Sequence, residues 1–278
     1  MTLIWKNFIE NGWCFLDNDI ENCRWIEAAK ANIRNKFRQK EYRDSDFRSG
    51  ASWFAGINFL DNGIGGDVDG ISFSSVLWSQ ISGNFGVKIK YWDAAQVSIC
   101  WQGYPSKDPS ESEKSFKYRL KKYSSHVDGL IPIGSSKRRF AKEFHAFILG
   151  IPITNNRVDS APLMVWEGSH KIFRNMFRKA FAGLSENEVS DLDVTEIYQE
   201  CRRKVFTTCP VKKVFSHNNQ PYILDRHLLH GMGSWSAPID GSLLQPRNNL
   251  FPINPMSGRI VIYFRPAYKN ALDWITQN

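Results

Sequence analysis

The order of helical and strand-like segments constrains the fold of this chain more than any other feature of its sequence. Residues 19–40 place apolar side chains at helical spacing behind an Asn/Asp cap, and residues 73–81 indicate a second, shorter helix. From about residue 87 β-branched and aromatic residues dominate, in the strand candidates "VKIKYWDAAQVSICWQ", "EFHAFILGIPIT", "APLMVWEGSHK", "PVKKVFS", "PYILDRHLLHGMGSW" and "GRIVIYFRP". Helices followed by many short strands argue against alternating βαβ units. They favour a mainly β fold, closed or double-sheeted, with the N-terminal helices packed outside.

The chain is expected to form a single domain over residues 1–278. No internal repeat, low-complexity segment or flexible linker divides the sequence, and β-barrels and sandwiches often reach this length as one domain. Residues 1–86 are predicted to be a largely helical part packed on the barrel, and residues 87–270 to form the β core. Within that core a capping box at 185–188 predicts one helix over roughly 186–204.

Cysteine content, apolar runs and charge exclude several classes of protein. The five Cys are odd in number and show no C-x-x-C spacing, so neither a zinc ribbon nor a disulfide framework is expected. The N-terminus has no apolar h-region and no long apolar run occurs, which predicts a cytoplasmic protein that does not enter a membrane. The net charge of +8 lies in short basic clusters without a recognition motif, so no nucleic acid is expected. These clusters indicate a solvated surface or attraction of an anionic small-molecule substrate.

The stretch "SSHVDGLIPIG" contains a candidate pair of metal ligands. On a strand His126 and Asp128 point to the same face, so they offer one nitrogen and one carboxylate together. The Fe(II) of oxygenases takes a third protein ligand on the same side of its octahedron, which leaves three adjacent positions open. The tripeptide alone is a weak motif, so a second His and an anion-binding Arg have to be found downstream.

His230 is the preferred third ligand among the remaining histidines. His227 and His230 are three residues apart and therefore face opposite ways on one strand, so at most one of them reaches the site. His230 precedes Gly231 and Gly233, which let the backbone leave the strand near a ligand. The other histidines are interpreted as structural or surface residues: His145 in the core or at its rim, His170 fixing a tight loop, and His217 exposed in a polar turn.

The last strand candidate, "GRIVIYFRP", contains two arginines at an even spacing. An unbroken strand would turn Arg259 and Arg265 to one face. A guanidinium inside a β-barrel is costly unless it is paired. A dicarboxylate that accepts two parallel hydrogen bonds from the guanidinium would satisfy it. Arg259 opens the strand and fits this role, whereas Arg265 precedes Pro266 and fits a residue at the rim.

Four motifs in this order, "HVDG", "PLMVWEGSHK", "HLLHGMGS" and "GRIVIYFRP", resemble the phytanoyl-CoA dioxygenase family of Fe(II)- and 2-oxoglutarate-dependent oxygenases. The opening "FIENGWCFLDNDI" is also similar to the usual start of that family. The resemblance implies a double-stranded β-helix, a cupin-like jelly roll, with Fe(II) held by His126, Asp128 and His230. It implies that 2-oxoglutarate chelates the iron and places its far carboxylate on Arg259. It also implies reaction with O2 and hydroxylation, or another oxidation, of a C–H bond in a small organic substrate.

The sequence departs from the family pattern at two places. The arginine usually follows the distal His by about a dozen residues, but Arg259 follows His230 by 29. Residues 234–257 are therefore expected to be an insertion at the mouth of the barrel, and Arg247 within it is a further candidate for the anion. The second departure is Met232, which stands where the family often has a small hydroxyl residue.

Two other interpretations stay open from the sequence. A non-catalytic cupin-like protein would use the site to bind a metal or a small molecule. A cupin metalloenzyme without 2-oxoglutarate would have no need of an arginine on the last strand, so that arginine distinguishes the alternatives.

Overall fold

The computed structural model describes residues 3–85, 91–154, 157–216, 220–236 and 253–277. Its helices are α1 (Leu3–Asn11), α2 (Ile20–Gln39), α3 (Ser75–Phe85), α4 (Glu113–Lys121), α5 (Ser169–Ala180), α6 (Glu186–Asp191), α7 (Thr195–Thr208) and α8 (Ala271–Thr276). Its strands are β1 (Trp13–Phe15), β2 (Phe47–Arg48), β3 (Trp53–Gly56), β4 (Gln96–Cys100), β5 (Leu130–Ile133), β6 (Arg138–Ala141), β7 (Phe147–Pro152), β8 (Leu163–Trp166), β9 (Val211–Val214), β10 (Tyr222–Asp225), β11 (His230–Met232) and β12 (Arg259–Phe264). Across these described ranges, none of the helices has the length and apolar character that spanning a membrane requires.

Two antiparallel sheets form the centre of the molecule. The large sheet has the strand order β1-β10-β7-β12-β4-β3-β2, and the small sheet has the order β11-β8-β9. They face each other, because one apolar cluster joins Ile148 and Val261 of the large sheet to Val165 of the small sheet. The prediction of a mainly β, cupin-like jelly roll with flanking helices is confirmed.

Strand β12 shows how the sequence builds the layers. Its residues alternate between the two faces of the large sheet, as the period of a strand requires. Ile260 and Phe264 face outward and pack in one cluster with Trp25 of α2, while Val261 and Tyr263 face the small sheet. Each such apolar side chain stabilises the fold by about 1.5–3 kcal/mol when it is fully buried. Helix α2 therefore covers the outer face of the large sheet.

A second helical layer covers the outer face of the small sheet. Met164 and Trp166 of β8 pack there against Phe173 of α5, Tyr198 of α7 and Trp274 of α8. Their neighbours Leu163 and Val165 point the other way, into the space between the sheets. The small sheet thus separates an apolar helical layer from the interior of the barrel.

The helices of this layer differ from the prediction in two ways. The single helix expected over 186–204 is wrong: α6 and α7 are separate, although α6 begins with the predicted capping box. The break occurs because Asp193 bridges to Phe140 and the backbone of Val194 donates to Arg139. The loop expected at the end of residues 161–171 is instead the first turn of helix α5.

The segment "PYILDRHLLHGMGSW", predicted as one strand, forms two strands in different sheets. Strand β10 ends at Asp225, whose carboxylate accepts a hydrogen bond of 2.8 Å from the backbone of His227. The backbone of Leu228 also donates to the Asp225 carbonyl, which completes a tight corner. The chain then enters the small sheet at β11, and this change of sheet places His230 between the two sheets.

Candidate metal centre

Two side chains of one segment, residues 126–128, and one side chain of β11 converge between the sheets. His126, Asp128 and His230 each offer one ligand atom, and these atoms all lie within 4.8 Å of one another. Nε2 of His126 is 3.1 Å from Oδ1 of Asp128, and Nε2 of His230 is 3.7 Å from the same oxygen. One carboxylate oxygen and two imidazole nitrogens therefore point toward a common position.

Backbone pairing holds the two histidines side by side. The His126 backbone N–H donates to the His230 carbonyl at 2.8 Å, and the His230 N–H donates to the His126 carbonyl at 3.0 Å. His230 lies in β11 opposite Val165 of β8. Residue 126 forms only this isolated bridge and Asp128 lies in the turn before β5, so the strand predicted for this pair is absent from the described chain.

Two glycines allow the chain to approach this closely. A Cβ on Gly231 would lie 2.1 Å from the carbonyl oxygen of Tyr123, in the segment that leads into His126. A Cβ on Gly129 would lie 2.2 Å from the Glu143 carbonyl oxygen, and its φ of +86° is one that side chains rarely adopt. Gly231 thus permits the close approach of two backbone segments, not the exit from the strand that the sequence suggested.

The imidazole tautomers follow from the carbonyl groups around them. Nδ1 of His126 lies 3.1 Å from the carbonyl oxygen of Ser124, and Nδ1 of His230 lies 2.9 Å from that of Leu228. A carbonyl only accepts hydrogen bonds, so each Nδ1 carries the proton and each Nε2 presents a lone pair. These lone pairs face the carboxylate of Asp128, which also only accepts. A cation between the three atoms replaces this repulsion by coordination, so the donor set fits a divalent metal.

The protonation states also suit a metal site. Burial lowers the pKa of His230 to about 4, so this imidazole is neutral at physiological pH. Burial alone would raise the pKa of Asp128, but the Arg265 guanidinium holds it well below its usual range. The His126 side chain is 46% exposed, against 9% for His230, so the group opens to solvent on the His126 side.

Arg265 is bound to this group and is not a rim residue, contrary to expectation. Its Nε donates to Oδ2 of Asp128 at 2.7 Å, and its Nη1 donates to the Gln96 side chain at 2.6 Å. The guanidinium also lies 5.4 Å from the centre of the Tyr263 ring. Sequence reasoning missed both Arg265 and Gln96 as partners of the site, although the even spacing had placed Arg265 on the inner face of β12.

Arg259, at the other end of β12, is buried among neutral groups. It is 3% exposed, and its Nη1 lies 3.8 Å from Sδ of Met232. Burial raises the pKa of its neighbour Cys100 to about 12 and that of Tyr222 well above the usual range, so both stay uncharged.

Within the described chain, Nε of Arg259 has no hydrogen-bond partner, and no carboxylate forms an ion pair with this guanidinium. A buried cation without a counter-ion is the kind of group that binds an anion. The sequence prediction named Arg259 for this reason, and its surroundings fit a carboxylate.

The remaining histidines lie outside the group. His227 is fully buried, and its ring centre lies 4.5 Å from that of Trp274 in the helical layer. His227 and His230 diverge because they lie on either side of a corner, and not because they alternate along one strand. His145 contacts Glu143 at 3.2 Å, and His170 lies in the first turn of α5. The predictions for His217 and Arg247 fall outside the described residues.

Comparison with known proteins gives only distant similarities. No protein-family model matches the chain, and no curated protein sequence does. One similar solved structure is EvdMO1, at 14% identity and a TM-score of 0.48, where the match covers 94% of this chain and 49% of EvdMO1. This chain thus spans about half the length of EvdMO1.

Two further structures cover most of both chains. SnoK, a non-heme alpha-ketoglutarate-dependent carbocyclase from nogalamycin biosynthesis, is 10% identical with a TM-score of 0.49, over 97% of this chain and 88% of SnoK. EctD from S. alaskensis, solved with 2-oxoglutarate and 5-hydroxyectoine, is 11% identical with a TM-score of 0.45, over 97% of this chain and 77% of EctD. Similarities this distant assign no chemistry, which has to come from the side chains.

Proposed function

We propose that this protein is an Fe(II)- and 2-oxoglutarate-dependent oxygenase. The observation that carries the proposal is the arrangement of His126, Asp128 and His230. Two Nε2 lone pairs and one carboxylate oxygen face one position, and both Nδ1 atoms are engaged by backbone carbonyls. Two histidines and one carboxylate on one side of a metal are typical of non-heme Fe(II) oxygenases.

In this proposal the three side chains hold Fe(II) and leave the other half of its coordination sphere to other ligands. When bound, Fe(II) together with 2-oxoglutarate and O2 supplies the oxidation of a substrate C–H bond, and 2-oxoglutarate leaves as succinate and CO2. The protein fixes the positions of the three ligands. The substrate is expected to enter from the side of His126, the most exposed of the three ligands.

Arg259 is proposed to bind the far carboxylate of 2-oxoglutarate. It stands on the same face of β12 as Tyr263 and, beyond the strand, Arg265. The Tyr263 and Tyr222 hydroxyls are 3.0 Å apart beside it. One hydroxyl donates to the other, so this pair has a spare O–H to give to an anion. A guanidinium and a hydroxyl together match the acceptors of a carboxylate.

Membership of the phytanoyl-CoA dioxygenase family and the hydroxylase type of reaction belong to the same proposal. They are supported by the order of the four sequence motifs and by the acidic ligand Asp128. The net charge of +8 supports an anionic organic substrate. The five cysteines are free thiols, which suits the reducing conditions of the cytoplasm.

The experiment that tests the proposal is cosubstrate binding and turnover. Anaerobic protein loaded with Fe(II) should develop a weak visible charge-transfer band when 2-oxoglutarate is added, and should release succinate when O2 is admitted. His126→Ala should do neither. His170→Gln, in helix α5 outside the group, serves as the matched histidine control and should behave like the wild type.

Two results would contradict the proposal. Equal succinate from wild type and His126→Ala would remove the oxygenase assignment. Metal binding without any spectral response to 2-oxoglutarate would favour a cupin metalloenzyme or binding protein that does not use this cosubstrate.

A further inference from the structure

The two oxygens of the Asp128 carboxylate have different partners. Oδ1 is the oxygen that faces Nε2 of His126 at 3.1 Å and Nε2 of His230 at 3.7 Å. Oδ2 accepts from Nε of Arg265 at 2.7 Å, with side-chain exposures of 21% for the arginine and 10% for the aspartate. Such a charge-assisted contact in a mostly buried place holds the carboxylate in one orientation.

Arg265 is itself fixed from three sides. Its Nη1 donates to the side-chain oxygen of Gln96 at 2.6 Å, and its backbone N–H donates to Oδ1 of Asp93 at 2.8 Å. Its guanidinium also lies against the ring of Tyr263, with 5.4 Å to the ring centre. The guanidinium therefore cannot follow Asp128 if that carboxylate turns, and turning would break the ion pair.

We propose that Arg265 is a positioning residue that restricts Asp128 to binding the metal through one oxygen. This inference rests on the proposed function. A carboxylate that chelates through both oxygens takes two of six octahedral positions and, with two imidazoles, leaves two. A carboxylate that binds through Oδ1 alone leaves three, enough for both donor atoms of 2-oxoglutarate and for O2. Arg265 keeps Oδ2 engaged and so keeps the third position open.

The geometry of the guanidinium matters as well as its charge. Nε and Nη1 are donors on one rigid plane, and they reach Asp128 and Gln96 at the same time. A lysine ammonium is a point charge on a flexible stem and does not reproduce this fork. Lysine at position 265 is therefore expected to preserve the charge but not the orientation of the carboxylate.

Arg265→Met tests the inference through metal binding, without reliance on turnover. Anaerobic competition with a chelator should show Fe(II) bound about 10–100-fold more weakly, the usual effect of removing a partner that orients a metal ligand. Nitric oxide, an electron-paramagnetic-resonance probe of the O2 position, should bind wild type together with saturating 2-oxoglutarate. In Arg265→Met the two should compete for the iron. Arg265→Lys should resemble Arg265→Met.

Arg174→Met is the matched control, because Arg174 of α5 forms an ion pair with the buried carboxylate of Asp225 at the end of β10. It should leave Fe(II) affinity and nitric oxide binding unchanged. Equal effects of the two Met variants would mean that Arg265 acts only through general stability, which would overturn the inference. If Arg265→Met does not fold, Gln96→Leu should weaken Fe(II) binding in the same direction by a smaller factor, and unchanged affinity in that folded variant would count against the inference.

A folded Arg265→Met protein that binds Fe(II) as tightly as the wild type, with nitric oxide and 2-oxoglutarate bound together, would also overturn the inference. In that case the oxygenase proposal would survive, since the wild type still binds metal and cosubstrate. A wild-type protein that binds no Fe(II) would remove both.

Discussion

The two arginines of the last strand occupy the same face of the large sheet but have opposite surroundings. Arg265 is paired with the carboxylate of Asp128 and with Gln96. Arg259 is surrounded by sulfur atoms and tyrosine hydroxyls, and its Nε has no partner in the described part of the chain. Among the described residues, the protein supplies a carboxylate counter-ion for the first arginine and none for the second.

This difference has opposite consequences for stability and function. Breaking a buried ion pair leaves one charge uncompensated and is strongly destabilising. Removing a buried charge that has no counter-ion relieves the cost of burying it. A residue retained at such a cost is expected to have a functional role, which agrees with the proposed binding of 2-oxoglutarate at Arg259.

The largest expected effect is that of Asp128→Asn, which removes the carboxylate partner of Arg265 and leaves this guanidinium without a counter-ion. Fe(II) binding should be lost, and the free energy of unfolding should fall by about 3 kcal/mol, because the guanidinium loses its counter-ion. Chelator competition and urea denaturation measure the two effects. Asp225→Asn breaks a comparable pair with Arg174 and should lower stability while leaving Fe(II) bound. Retained Fe(II) binding in Asp128→Asn would show that this carboxylate is not a ligand.

Arg259→Met should separate stability from function. The variant without ligand should be as stable as the wild type or more stable by about 1–3 kcal/mol, because an unpaired buried cation is replaced by an apolar side chain. The 2-oxoglutarate concentration needed for half-saturation should rise about 100-fold, since each tenfold corresponds to 1.4 kcal/mol of lost binding. Titration of the visible band and urea denaturation are the measurements. A destabilised variant with unchanged cosubstrate affinity would assign Arg259 to the fold alone.

His227, the fully buried histidine of the "DRHLLHG" segment, is expected to make the stability of the fold depend on pH. Burial, with Arg226 and Arg174 adding to it, holds the pKa of His227 well below 6.5. Below about pH 6.5 the unfolded chain therefore binds a proton at His227 that the folded chain does not bind. The contribution of His227 to the free energy of unfolding is therefore fully present above that pH. Below it, the contribution falls by up to about 1.4 kcal/mol per pH unit.

His227→Leu should remove this part of the acid sensitivity and leave Fe(II) binding intact. Urea denaturation between pH 5 and 7 gives the slope for both proteins. An unchanged slope would show that His227 takes up a proton in the folded state, and a loss of Fe(II) would place it in the metal group.

The smallest expected effect is that of Tyr263→Phe, a residue that contacts both arginines. The ring under Arg265 is kept, so Fe(II) affinity should not change. The hydroxyl beside Tyr222 is lost, so 2-oxoglutarate should bind about 3–5-fold more weakly, as expected for one hydrogen bond of about 1 kcal/mol. The visible titration measures both constants. A larger effect on Fe(II) than on 2-oxoglutarate would reverse the roles given to the two ends of the strand.

The general fold was predictable because its signals are local. The sequence shows helical spacing in residues 20–39 and apolar strand segments after them. The structure contains the corresponding helix α2 and the strands of the two sheets. Helix α5 also had a signal, since Phe173, Phe177 and Phe181 are four residues apart, but the segment "EGSHK" was interpreted as a tight loop. The break between α6 and α7 had no local signal, because backbone pairing with β6 causes it.

The candidate site was predictable in its residues but not in its contacts. His126, Asp128 and His230 were named from the sequence, and the structure brings them together, though a bridge and a turn replace the expected strand. Arg265 was on the expected face, but its partner Asp128 lies 137 residues earlier in the chain. No spacing rule reveals a pairing over that distance.

The most direct test is a crystal structure of the protein grown anaerobically with Fe(II) and 2-oxoglutarate, with the iron located by anomalous scattering. The account predicts one iron bound by both Nε2 atoms and by Oδ1 of Asp128, with Oδ2 still on Arg265 and a carboxylate of 2-oxoglutarate on Arg259. Iron bound without His230, or a cosubstrate whose far carboxylate contacts another residue while Arg259 stays unpaired, would contradict it.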